Sequence, residues 1–151
     1  WSGIQAAKYD WVFFSDADLQ FNLEEISKLL QYIQEYKVVI GYRSPRKDSF
    51  LRIMNGKGWN FLVRLFFGLK VRDVDCAFKL FDRRLLARLP LQTRGATMSA
   101  ELMICLMRLG VKWKEVPVTH LPRLAGRPTG AKPSVIIRAF RELFQLYWKG
   151  I

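Results

Sequence analysis

Apolar and polar positions divide the chain into short segments of two kinds. Trp11 to Phe14 are four consecutive bulky apolar residues closed by Ser15, which predicts a buried strand over 11–15. Asn22 can cap a following helix, with Glu25 three residues on to complete a capping box. In "LEEISKLLQYIQEY" (23–36), Leu23, Ile26, Leu29, Leu30 and Ile33 share one helical face. "KVVIGY" (37–42) predicts a second strand, and the polar stretch "RSPRKDS" a loop. Residues 50–67 predict a helix with apolar bulk on nearly every side, its middle weakened by Gly56 and Gly58. "FKLF" (78–81) predicts a short strand and "DRRLLARL" a short helix ended by Pro90. "SAELMICLMRL" predicts a helix closed by Gly110. The alternating "VKWKEVPV" predicts a strand, "THLPRLAGRPTGAKP" a basic loop, and residues 134–149 an amphipathic C-terminal helix.

Strands that alternate with helices imply an α/β layered sheet. The 151 residues suit a single domain, 1–151, with no internal repeat and no linker. Three or four strands make a thin sheet, and the chain starts at Trp1 inside what reads as a helix ending at "AAKYD". Both features suggest a domain truncated at its N-terminus.

Charge narrows the partners. Lys and Arg number 25 against 13 Asp and Glu, for a net charge of +12, so the surface favours nucleic acid, anionic lipid or a phosphorylated small molecule. Cys76 and Cys105 sit in apolar surroundings and read as buried thiols of a reducing compartment. A lone His120 excludes a multi-histidine metal site, and no apolar run reaches the ~20 residues that cross a bilayer.

The candidate chemistry begins where the first strand ends. In "VFFSDADLQF", extended backbone would point residues 16, 18 and 20 the same way. Asp16, Asp18 and Gln20 then offer hard oxygen donors of the kind Mg²⁺ or Mn²⁺ prefers. The alternative is that they are turn or capping residues, but two adjacent carboxylates are costly without a cation between them. The carboxyl end of a strand in an open α/β sheet is also where ligands bind.

Asp-Ala-Asp-Leu-Gln after an apolar strand resembles the aspartate-x-aspartate motif of family 2 glycosyltransferases, in particular the branch that loads a sugar onto a polyprenyl phosphate. Later segments agree in order. Arg43 resembles an arginine facing the acceptor phosphate, and Arg52 a second one on the acceptor-side helix. The family often carries Ser one turn later, where this chain has Gly56. "VRDVDCAFKLF" resembles the segment Asp-x-x-Ser/Cys-Gly-Phe, with Ala77 in place of Gly. "SAEL" resembles a helix carrying an acidic residue, here Glu101. "RLAG" resembles the Arg-x-x-Gly that reaches the donor diphosphate, here Arg123 and Gly126, with Lys132 beyond it.

The resemblance implies a partial GT-A (nucleotide-diphospho-sugar transferase, Rossmann-like) sheet whose opening strand and nucleobase region precede Trp1. It implies Mg²⁺ or Mn²⁺ on Asp16, Asp18 and Gln20, and a GDP- or UDP-linked sugar as donor. It implies a polyprenyl (dolichyl or undecaprenyl) phosphate as acceptor, held by Arg43 and Arg52, with the diphosphate on Arg123, Gly126 and Lys132. The reaction would be a metal-assisted inverting displacement at the cytoplasmic face of a membrane, with no nucleic acid involved.

Asp73 and Asp75 read either as base and sugar-orienting groups or as a polar turn. Glu101 reads either as a sugar ligand or as the acidic start of its helix. Phe50, Leu51, Trp59, Phe61, Leu62, Phe66 and Phe67 exceed what one core face can bury. With Arg52, Lys57 and Arg64 among them, they suggest an element at a bilayer edge, and residues 134–149 repeat the pattern. A family 2 enzyme acting on a sugar hydroxyl, and a basic module without catalysis, are the alternatives.

Overall fold

The computed structural model describes residues 2–46, 50–93, 95, 97–122 and 133–150. Four strands among them, β1 (Trp11–Phe14), β2 (Val38–Arg43), β3 (Lys79–Asp82) and β4 (Lys114–Val118), form one sheet in the order β1-β3-β2-β4. β3 runs antiparallel to both neighbours, and β2 and β4 are parallel. The carboxyl ends of β1, β2 and β4 and the entry to β3 therefore meet at one edge. Phe14 and Ile40 both lie opposite Lys79 there.

The helices are α1 (Ser2–Ala6), α2 (Ile26–Leu30), α3 (Phe50–Phe67), α4 (Arg83–Leu86), α5 (Met98–Arg108) and α6 (Pro133–Trp148). Strand alternation splits the core between the two faces of the sheet. Val38, Ile40 and Phe81 pack with Val63 of α3, Met103 and Leu106 of α5, and Leu143 of α6. Val39, Leu80, Phe78 and Val116 pack with Leu29 of α2 on the other face. Each fully buried Leu, Ile or Phe adds ~1.5–3 kcal/mol, so these two layers hold the sheet between them.

Most predicted elements shift by a residue or more at one end, and three of the differences bear on the site. The helix expected over 23–36 is a 3-10 turn at Leu23–Glu25, then α2, then turns whose bonds join Tyr32 to Leu29 and Ile33 to Leu30. Tyr32, Ile33 and Tyr36 lose side-chain freedom in a regular helix, which weakens its continuation past Leu30. Asn22 caps as expected, its Oδ1 accepting from Glu24 N at 3.1 Å, but the capping box does not form. Glu25 instead accepts from Thr119 N at 2.8 Å and Thr119 Oγ1 at 2.7 Å, pinning the exit of β4. The third expected strand starts one residue later than 78, and Asp82 closes it by capping α4 through Arg84 N. β4 itself begins at Lys114 rather than at 111.

Helix α3 spans 50–67 as predicted, and Gly110 at φ 68° terminates α5 in the left-handed conformation that favours glycine. Gly41 is required by contact instead: a Cβ there would lie 2.9 Å from Phe78 O and from Val118 Cγ2.

Candidate functional site

Where β1 ends the chain does not stay extended. Asp18 Oδ1 accepts from Gln20 N at 3.2 Å, and Leu19 takes φ 57°. This is an Asx-type turn, the local option open to an aspartate that can bond its own backbone. The period-2 argument for residues 16, 18 and 20 thus fails at Asp18. Asp16 and Asp18 nevertheless both line a cleft of about 910 Å³ at the shared sheet edge. Gln20 does not: it is 4% exposed, and its Nε2 donates to Leu121 O at 3.1 Å. The amide anchors the turn to the segment after β4, so the structure does not bring it beside the two carboxylates.

The cleft takes Arg43 and Arg46 from the exit of β2, Arg52 and Trp59 from α3, and Asp75 and Ala77 from the loop before β3. The first turn of α5 and residues 135–140 of α6 complete it. Its volume is that of a small-molecule site. Acidic groups come from the β1 exit and the 73–77 loop, and basic groups from the β2 exit and α3. The edge is where ligands bind in open α/β sheets.

Arg43 and Asp73, expected as a phosphate ligand and a catalytic carboxylate, are brought together as a pair. Arg43 Nε donates to Asp73 Oδ2 at 2.6 Å and Nη2 to Oδ1 at 2.7 Å, with both side chains 7% exposed. Burial opposes ionisation of Asp73, but the Arg43 guanidinium overcomes it and holds the carboxyl below the usual aspartate value. A carboxylate clamped at both oxygens is a poor proton acceptor. Asp73 therefore positions Arg43, which lines the cleft, and does not have the geometry of a base.

Asp75, two residues on, differs. Burial against the cleft wall pushes its carboxyl up to about 6, and the Lys79 charge pulls the other way. Water reaches the residue through the open cleft, which softens the effect relative to a sealed site.

Glu101, expected as a sugar ligand, is wholly buried away from the cleft lining. Its oxygens accept from Gln92 N at 2.7 Å, Thr93 N at 2.8 Å and Thr93 Oγ1 at 2.5 Å. It holds the 92–93 loop onto α5, which corrects the sugar-contact expectation. Arg123, Gly126 and Lys132, and Lys47 of the loop after β2, lie outside the described residues.

Lys79 was missed by the sequence reading. It is fully buried, and its Nζ donates to Val74 O at 3.0 Å and to Cys76 O. Burial lowers its pKa. Asn60 of α3 brackets the same loop, accepting from Val74 N at 3.1 Å and donating to Arg72 O at 2.9 Å. The available signal was a lysine inside "FKLF" with no polar alternate positions to expose it.

Asp16 and Asp18 suit a divalent cation. Mg²⁺ commonly takes one or two carboxylates and fills the rest of its shell with substrate phosphate and water. Among the described residues no three His, Cys, Asp or Glu side chains converge on one point.

One face of α3 and α6 is apolar and solvent-facing. Phe66 stacks at 5.3 Å on both Phe144 and Tyr147, and Phe61, Leu65, Ile137 and Trp148 are exposed beside them. Among the described residues no helix is long and apolar enough to cross a membrane.

The fold recurs in glucosyl-3-phosphoglycerate synthase from Mycobacterium tuberculosis, solved with phosphoglyceric acid. The TM-score is 0.74 over 96% of this chain and 52% of that one, at 18% identity. Another structure of that enzyme, with Mn²⁺, uridine-diphosphate-glucose and glycerol 3-phosphate, gives a TM-score of 0.70 at 19% identity over the same shares. This is the GT-A fold of nucleotide-sugar transferases. The undecaprenyl-phosphate 4-deoxy-4-formamido-L-arabinose transferase of Pectobacterium atrosepticum is 32% identical over 83% of this chain. The dolichyl-phosphate beta-glucosyltransferase of Saccharomyces cerevisiae is 26% identical over 70% of it. The chain spans 38% of the length of each of these two relatives. The model of Glycosyl transferase family 2 matches residues 2–89, from α1 past α4 and through the carboxylates and arginines of the cleft, and the chain belongs to that family.

Proposed function

We propose that this chain forms the metal- and acceptor-binding part of an enzyme that moves a sugar from a nucleotide-sugar to a polyprenyl phosphate. One observation carries the reading: Asp16 and Asp18 share a cleft with Arg43, Arg46 and Arg52. Carboxylates that suit a divalent cation thus stand across from guanidiniums that suit a phosphate. The names of the relatives, which act on undecaprenyl and dolichyl phosphates, support the same acceptor class.

In this reading an acceptor phosphate oxygen attacks the anomeric carbon from the side opposite the nucleoside diphosphate. The new C–O bond forms as the old one breaks, the electron pair leaves with the diphosphate, and configuration inverts. Asp16 and Asp18 would hold Mg²⁺ or Mn²⁺, which when bound supplies Lewis-acid neutralisation of charge building on the leaving diphosphate. Arg43, fixed by Asp73, and Arg52 hold the attacking phosphate in line. Arg123, Gly126 and Lys132 serve the donor diphosphate, a UDP or GDP ester. Asp75, which lines the cleft, would bind a sugar hydroxyl. The apolar face of α3 and α6, with Arg64 and Arg141 on the same helices and Lys149 just past α6, rests on the cytoplasmic leaflet so that the lipid phosphate reaches the cleft.

A second reading, transfer to a sugar hydroxyl, is favoured by one feature, the raised pKa of Asp75, which would make that residue the base. The deciding assay uses the protein that contains this chain, labelled nucleotide-sugars and undecaprenyl phosphate, with Mn²⁺ or with chelator. Mn²⁺-dependent labelled lipid that disappears in Asp16→Ala supports the reading. Transfer that persists in chelator removes the metal assignment, and transfer only to saccharides selects the second reading.

A further inference from the structure

Gly56 sits in the middle of the eighteen-residue helix α3, where glycine is a poor helix former compared with alanine. The structure shows what occupies the space its missing side chain leaves. A Cβ at residue 56 would stand 2.9 Å from Arg46 Nη1 and 3.0 Å from Nη2. The guanidinium of Arg46 lies directly on the backbone of α3, and both residues line the cleft. Gly58, two residues on, has nothing within 4 Å of the same construction point, so close approach to the helix is particular to position 56.

Arg43 brings little net charge to the cleft, because Asp73 offsets it at two oxygens. A phosphate entering there must find further cationic donors. Arg52 lies one turn before Gly56 on α3, so a guanidinium seated on Gly56 stands beside it at the same end of the cleft. The charge of Arg46 also reaches into the 73–77 loop, where it favours the ionised forms of both Asp73 and Asp75.

We propose that Gly56 is a specificity-determining position: it seats Arg46 on α3 so that this guanidinium binds the acceptor phosphate together with Arg52. The inference rests on the phosphate-acceptor reading given above and deepens it. Any side chain at 56 displaces Arg46, and the far end of an arginine moves at little cost to the fold. The effect of Gly56→Ala is therefore on binding and not on folding.

The test compares Gly56→Ala, Arg46→Gln and the double variant in the protein that contains this chain, with farnesyl phosphate as acceptor. A lost charge-assisted contact should raise the acceptor KM by about 10- to 100-fold in each single variant, leaving the donor KM unchanged. The double variant should be no worse than Arg46→Gln, because both substitutions remove the same contact. The thermal midpoint of Gly56→Ala should stay level or rise by about 2–4 °C, the helix gain that Gly58→Ala calibrates. Wild-type acceptor KM in Gly56→Ala, or additive losses in the double variant, would overturn the inference while the functional reading stands. A wild-type protein that neither binds farnesyl phosphate nor transfers sugar to it overturns both.

Discussion

Replacing Asp73 by Asn separates a positioning carboxylate from a catalytic one. The wild-type carboxylate meets Arg43 at 2.6 and 2.7 Å, and each side chain is 7% exposed. Asparagine keeps the shape but removes the charge and offers one oxygen to a two-pronged donor. The guanidinium then stays buried with half of its partner. Breaking a buried pair from one side costs about 3–5 kcal/mol, which for a chain of this size lowers the thermal midpoint by roughly 6–20 °C. The pH dependence has a fixed sign. The folded-state pKa of Asp73 lies below its unfolded value of 3.8, so its contribution is present above that value and lost as pH falls through the folded pKa. Thermal melts of wild type and Asp73→Asn should therefore differ most near neutrality and converge in acid. A companion variant, Arg43→Met with Asp73→Leu, should recover much of the stability while leaving phosphate binding impaired. A midpoint within about 2 °C of wild type, combined with a kcat lowered by orders of magnitude, would refute the pairing argument and restore Asp73 as a chemical participant.

Four further outcomes follow from other residues. Burial pushes the Asp75 carboxyl up to about 6, so if its carboxylate binds a sugar hydroxyl, kcat/KM should fall below that pH, and Asp75→Asn should remove the acid limb. The same raised pKa means that ionising Asp75 costs stability progressively as pH rises from 3.8 to about 6 and fully above that, so Asp75→Asn should melt no lower than wild type at pH 7.5. Glu101→Ala leaves Gln92 N and Thr93 N without their acceptor and should cost at least ~2 kcal/mol in urea unfolding. A Glu101→Gln protein of wild-type stability with only its donor KM raised would instead return Glu101 to the sugar. Phe61 and Leu65 are 63% and 64% exposed, so Phe61→Ser with Leu65→Ser should leave the melt unchanged and weaken binding to phosphatidylglycerol vesicles tenfold or more. Undiminished sedimentation with vesicles would clear this face of a membrane role.

Local chemistry was legible in the sequence, and distant pairing was not. The bounds of α3, the glycine stop of α5, the Asn22 cap and the placing of Asp16 and Asp18 at the mouth of β1 all depend on residues within one or two turns of each other. Glu25 shows the limit. Its spacing from Asn22 suits a capping box, yet its carboxylate meets Thr119, 94 positions away. The same holds for Asp73, whose neighbours in "VRDVDC" say nothing about a partner 30 residues earlier. Glu101 sits in the first turn of α5, where an acid is favourable anyway, and that local reason hid its grip on Thr93. Gln20 alternated correctly with Asp16 and Asp18 on paper, but one Asx turn at Asp18 ended the alternation.

The feature that the sequence concealed most completely is also the one that builds the site. An alternating strand–helix order suggests a parallel sheet, in which every strand would enter at the edge opposite the cleft. β3 runs the other way, so its lead-in, residues 73–78, crosses the edge where β1, β2 and β4 leave. That reversal puts Asp73 against Arg43 and Asp75 at the cleft. It also sends the buried ammonium of Lys79 back along the chain to the carbonyls of Val74 and Cys76. A parallel β3 with the same residues would have left both aspartates at the far edge, with no arginine to orient and no cleft to face. The loop's conformation is held from three sides, by Arg43 on β2, Asn60 on α3 and Lys79 on β3. Rigid support of that kind is what a cleft needs if its charged groups are to stay aimed at a ligand.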